Sequence, residues 1–166
     1  MATTAGISLE QFLATHFDPP EPDYVDGEIV ERSMPDWTHS RLQGILWGIL
    51  SQAVGLAVAT ELRVRLATGK AYIIDVCAYP ADQQMSRFPS TPPIVAAEIL
   101  SVDDVVMELN LKLENYRKWG VPHIWLIDPW FPQLNIYDDQ GLHRVSALEI
   151  PEFGIRITLE ELMAAV

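Results

Sequence analysis

AYIIDVCAY (residues 71–79) and PPIVAAEIL (residues 92–100) are two short runs rich in Ile, Val and Ala, each interrupted by one acid. The length and composition of each run read as a buried strand. An ionised carboxylate within such a strand is costly unless it is hydrogen-bonded, paired or bound to a metal. Asp75 and Glu98 therefore need partners, and two acids on neighbouring strands can converge on one divalent cation. Strict alternation puts Ala71, Ile73, Asp75 and Cys77 on one face, and Tyr72, Ile74, Val76 and Ala78 on the other. On the next strand Glu98 shares a face with Ala96 and Leu100.

Outward from this pair, the other elements fall into place. Towards the N-terminus, residues 58–66 form a third strand, joined to the first by a turn at Thr68-Gly69. Before it, residues 39–54 are helical, with Leu42, Ile45, Leu46, Ile49 and Ala53 on one apolar face. Asp26-Gly27 splits residues 24–32 into a hairpin. Residues 8–17 are a short helix opened by a capping box of Ser8 and Gln11. Towards the C-terminus, the spacing predicts a helix from Ser101 to Trp119, stopped by Gly120 and Pro122. A buried strand follows over 123–128, then a hairpin of 134–138 and 143–146, a strand near 155–157 and a helix capped by Thr158 and Glu161. The order predicts an α/β (α+β) fold in one domain spanning 1–166, a mixed β-sheet flanked by helices.

Bulk composition restricts the function. Apolar residues make up 49% and charged residues 20% of the 166, a globular balance. No apolar run is long enough to span a membrane, and MATTAGISLEQF lacks the basic start and apolar core of a signal peptide. A lone cysteine, Cys77, excludes an internal disulfide and points to a reducing, cytoplasmic setting. Eleven basic against 23 acidic residues give a net charge of −12, which opposes sequence-independent grip on DNA. Any contact with nucleic acid must then be confined to a local patch.

The acids nevertheless point to hydrolysis. Hard oxygen ligands suit Mg²⁺ or Mn²⁺, which would polarise a scissile phosphate and acidify a water; a lysine would orient that water. In the plainest form of such a site the lysine stands two residues after the glutamate, where this chain has Leu100. Lys112, on the border of its helix's apolar stripe, can reach back to the sheet, whereas Lys118 faces water. Two readings of Lys112 are open, the catalytic one and a surface pair with Glu108 at i, i+4. Asp75 and Glu98 likewise admit a plain reading as hydrogen-bonded acids near strand ends.

DYVDGEIVER (23–32), THSRLQGILWGIL (38–50), IIDVCAY (73–79), AAEILS (96–101) and ELNLKLENYRKWGVPHIWLIDP (108–129) together resemble the successive blocks of the Uma family. These are restriction-endonuclease-like proteins of the PD-(D/E)XK superfamily, and the similarity spans about residues 8–138. The resemblance implies a restriction-endonuclease-like core, Asp75 and Glu98 as metal-binding acids, Lys112 as a migrated lysine and DNA as partner. The backbone carbonyl of Ile99 would be a third metal ligand. The family's characteristic histidine falls at His39, and Glu28, after the hairpin turn, could add another acid. Two positions depart from the pattern: Ile73-Ile74-Asp75 replaces Arg-Pro-Asp, and Glu108 replaces Asp.

The expected activity is thus Mg²⁺-dependent hydrolysis of DNA, and the alternative is a nuclease fold retained as an interaction module. His39 shares a line with Leu42, Leu46 and Ile49, so a structural, hydrogen-bonded histidine is its plain reading. His16, His123 and His143 have no zinc-ligand spacing. Cys77 reads as a packed residue. Arg63 and Arg65, on one strand face, are either phosphate contacts or ordinary exposed cations. Trp130 and Phe131, between Pro129 and Pro132, form an apolar loop suited to a homodimer contact.

Overall fold

The computed structural model describes residues 6–166. Ser8 and Gln11 exchange the two bonds of a capping box, opening α1 (Leu9–Ala14). The helix stops short of Phe17 because Thr15 is extended and its hydroxyl bonds the Gln11 carbonyl. Asp26 and Gly27 take φ of 52° and 93°, the geometry a two-residue hairpin demands, and join β1 (Asp23–Val25) to β2 (Glu28–Val30). Asp36 caps α2 (Trp37–Leu50) by accepting from the His39 N–H, so this helix starts two residues earlier than expected.

The strands β3 (Leu56–Arg65), β4 (Ala71–Pro80) and β5 (Val95–Ile99) follow. The next helix, α3 (Val106–Trp119), does not begin at Ser101. Asp104 turns back to accept from the Ser101 N–H and from the Ser33 hydroxyl. That local turn competes with helical hydrogen bonding and moves the cap four residues on, from the expected Ser101 to Val105. Gly120 ends it in the left-handed region at φ 101°. Beyond lie β6 (His123–Asp128), β7 (Gln133–Asp138) and β8 (Gly141–Val145). A further strand, β9 (Ala147–Ile150), was not anticipated. It pairs with β10 (Ile155–Thr158), which leads into α4 (Leu159–Met163).

The main sheet runs β2-β1-β4-β5-β6-β7-β8 with β3 paired to β4; only β5 and β6 are parallel. Leu42, Leu46 and Leu50 of α2 pack on one face against Val76, Ala97 and Ile99. Each is completely buried, a gain of about 1.5–3 kcal/mol apiece. Leu113 and Tyr116 of α3 pack on the other face against Ile74, Cys77 and Ala96. The mixed sheet flanked by helices agrees with the fold class expected above.

The alternation assigned to β4 needs correction. Tyr72 and Ile74 join the α3-side core with Cys77, whereas Val76 and Ala78 join the α2 side. The pattern slips between Ile74 and Val76, next to Asp75. On the partner strand the slip is matched by Glu61, which lies between the paired positions Thr60 and Leu62. Glu61 holds φ at 48°, a conformation costing a non-glycine residue about 1–3 kcal/mol. Arg63 is also corrected: it is no exposed cation, being 9% accessible. Its guanidinium lies 4.8 Å from the Phe12 ring centroid, with Phe17 and Phe88 nearby, and it pairs with Glu21. Arg65 stays at the surface, paired with Glu10.

Candidate active site

Strand β4 carries β3 along one edge. Its other edge is shared by β1, paired at Ala71, and by β5, paired from Val76 to Ala78. Between these stretches this edge of β4 has no strand partner, and side chains take its place. Asp23 Oδ1 accepts from the Ile73 N–H at 2.8 Å, and Lys112 Nζ donates to the Ile73 carbonyl at 2.8 Å. Divergence of β4 and β5 thus makes a fork, and the acids sit in it.

Asp75 is 3% exposed. Its Oδ2 accepts from the Ile99 N–H at 2.8 Å and from His39 Nε2 at 3.1 Å, while Oδ1 accepts from Arg32 at 3.0 Å. Burial pushes its pKa up, but the hydrogen bond and charge of His39, with Lys112 and Arg32, outweigh this and hold it below the ordinary carboxylate value. Burial likewise opposes a charged His39, yet its bond to Asp75 and the charge of that carboxylate raise its pKa overall.

Glu98, 5% exposed, faces α3. Oε1 accepts from the Tyr116 hydroxyl at 2.7 Å and Oε2 from Lys112 at 3.1 Å. Burial, aided by the charge of Asp75, pushes its pKa up to about 8 against the pull of Lys112 and Tyr116. Lys112 is 7% exposed and 3.5 Å from Asp23 Oδ2. Burial disfavours its charge, but Asp23 and Glu98 more than compensate and raise its pKa. It has no ion pair with Glu108, so the inward reading of Lys112 is the one the fold adopts. Lys118 reaches Glu114 on the exposed side.

Asp75, Glu98, Ile99, His39 and Lys112 all line one cleft of about 490 Å³. Glu28 does not: it stands exposed at the start of β2, beside the turn, and is outside this lining. The opposite end of the same hairpin enters the cleft instead, through Asp23 and Arg32. Sequence reasoning missed both, along with Tyr116 and Gln43, whose amide donates to the Asp75 carbonyl and to Glu61. Cys77 is buried beneath the site, its thiol pushed up to about 12 by burial, and packs as expected. His123 pairs with Glu152, and His143 lies near Asp138. The apolar loop leaves Phe131 79% exposed, while the Trp130 indole donates to the Leu100 carbonyl.

Among the described residues no group of three or more His, Cys, Asp or Glu side chains is arranged to hold a metal. Two carboxylates and a backbone carbonyl are nevertheless a sufficient donor set for Mg²⁺, which keeps several waters and takes substrate phosphate. An ionised carboxylate has about four acceptor positions. Asp75 uses three of them and Glu98 two, so each keeps acceptor capacity when ionised, and in that state the donor set fits a divalent cation.

The family model described as "Uma2: Putative restriction endonuclease" matches residues 9–166. No curated protein matches. A crystal structure of a "putative nuclease belonging to DUF820" from Anabaena variabilis superposes with a TM-score of 0.85 at 20% identity, covering 95% of this chain and 98% of that one. A DrdV–DNA complex solved by electron cryomicroscopy aligns at TM-score 0.36 and 15% identity, over 65% of this chain and 12% of the other. No described helix is long and apolar enough to cross a membrane.

Proposed function

This chain belongs to the Uma2 family, and from that premise we propose that it is a Mg²⁺- or Mn²⁺-dependent endonuclease hydrolysing DNA phosphodiester bonds at the fork between β4 and β5. The observation that carries this reading is that Asp75 and Glu98, both buried, line one cleft, with Lys112 reaching from α3 to Glu98 at 3.1 Å. Asp75, Glu98 and the Ile99 carbonyl would hold the cation. When bound, that cation supplies Lewis-acid polarisation of the phosphate and a more acidic water.

The chain's own groups prepare this arrangement. His39 and the Ile99 N–H hold Oδ2 of Asp75 and fix its orientation, while Arg32 bonds Oδ1. Tyr116 and Lys112 aim Glu98, and of the three contacts of Lys112 the one to Asp23 is longest. Release of that contact gives the attacking water a donor from Lys112. The net charge of −12 confines DNA contact to the fork itself.

The test is nicking of supercoiled plasmid by purified protein with Mg²⁺ or Mn²⁺. Asp75→Ala and Glu98→Ala should each abolish it; absence of cleavage by the wild type on any DNA form with either ion defeats the reading. One observation favours a second reading, an interaction module without chemistry: all the oxygens of both carboxylates already have protein donors. Calorimetric titration with Mn²⁺ separates the two. Heat that disappears in Asp75→Asn marks a working metal site, and no heat at all marks the module.

A further inference from the structure

Three cationic side chains line the cleft: His39, Lys112 and Arg32. Lys112 turns its three donors to Ile73, Glu98 and Asp23, and on the nuclease reading the longest of these contacts goes to the attacking water, which leaves none for a phosphate. His39 turns Nε2 to Asp75. Arg32 differs. Of its five N–H donors, one goes to Glu61 at 2.8 Å and one to Asp75 at 3.0 Å.

We infer that Arg32 is the side chain that receives a DNA phosphate in this cleft, held within reach by Glu61; the inference rests on the nuclease reading above. Glu61 is the anchor. It keeps its strained φ of 48° in the middle of a strand, where a non-glycine residue persists only when its surroundings hold it. Two groups do so, Arg32 on one carboxylate oxygen and the Gln43 amide on the other. Glu61 thus keeps the guanidinium beside Asp75 without relying on Asp75. With a divalent cation on Asp75, Arg32 would keep its bond to Glu61 and have its remaining donors for a phosphate oxygen. A guanidinium does this better than an ammonium, because its planar fork can serve carboxylate and phosphate together.

Fluorescence anisotropy with a labelled DNA duplex in Ca²⁺, paired with Mn²⁺ calorimetry, tests this. Arg32→Gln should weaken DNA binding by about tenfold to a hundredfold, the worth of one charged hydrogen bond, and lower the salt dependence by about one phosphate contact. Its Mn²⁺ affinity should equal or exceed that of the wild type. Arg32→Lys, which keeps the charge and guards against misfolding of Arg32→Gln, should bind Mn²⁺ normally and DNA more weakly than the wild type. DNA affinity unchanged in both variants overturns the role of Arg32 and leaves the nuclease reading intact. Mn²⁺ affinity lost in step with DNA affinity overturns it too, by making Arg32 a prop for Asp75. A wild type that binds Mn²⁺ but no DNA in Ca²⁺ removes the nuclease reading and this inference together.

Discussion

Replacing Lys112 by Met keeps most of the side chain's length and packing and removes its ammonium, with both its charge and its donors. The ammonium donates to the Ile73 carbonyl at 2.8 Å and to Glu98 at 3.1 Å, with Asp23 at 3.5 Å. At pH 9 Glu98 is ionised, since its pKa is raised to about 8. Lys112→Met then leaves two buried acids without their cation, at a cost of about 3–5 kcal/mol. For a chain of this size, at about 2–4 °C per kcal/mol, that lowers Tm by roughly 6–20 °C. At pH 5.5 Glu98 is protonated in the folded protein, so its ion pair with Lys112 is already gone. The loss shrinks to the contacts of the ammonium with Ile73 and Asp23, about 1.5–3 kcal/mol. Urea unfolding of metal-free wild type and Lys112→Met at both pH values measures the difference, provided the slope with denaturant is unchanged. A Glu98→Gln background should narrow the gap between the two pH values. Equal destabilisation at pH 5.5 and 9, or a cost under about 1 kcal/mol at pH 9, refutes the assignment of Lys112 as the counter-ion of this site.

Glu98 itself should leave a signature in the wild type. Its pKa rises from the ordinary 4.5 to about 8 on folding, so the unfolded chain gives up its proton first and metal-free stability falls as pH climbs across that interval, levelling off above it. Glu98→Gln should flatten that segment of a stability-against-pH curve; an identical slope in the variant would contradict the raised pKa. At Glu61, whose φ is 48°, Asn should be tolerated because it adopts the left-handed region readily. Val should be worse than Asn by about 1–2 kcal/mol, and thermal melts that rank the two equally would show that the backbone there relaxes.

Hydrophobic spacing reports which segments form strands and helices, and that much of this fold was legible, apart from β9 and from the faces of β4, whose alternation slips beside Asp75. The fork acids stood out because charge in an apolar run contradicts its surroundings. Lys112 was legible from the border of a helical stripe, and His39 from its line with Leu42 and Leu46. Tyr116 carried a signal that was not used: a buried phenol needs a hydrogen-bond partner, and it lies four residues from Lys112, on the same helical face. Arg32 and Asp23 carried none. Both are charged residues flanking a hairpin, where charge is ordinary, and their partners are set by topology. Arg32 meets Asp75 across 43 positions of chain, and Asp23 meets Ile73 across 50, because β1 lies beside β4. Glu61 was hidden for another reason. Left-handed backbone is usually announced by Gly, Asn or Asp, and here a glutamate takes it because Arg32 and Gln43 hold its carboxylate. Arg32, Asp23 and Glu61 are thus hard to read locally because their partners lie on other elements, and a buried charge in a sheet must recruit its partners from there. On the nuclease reading, in a chain carrying −12, Arg32 is also where an anionic ligand approaches.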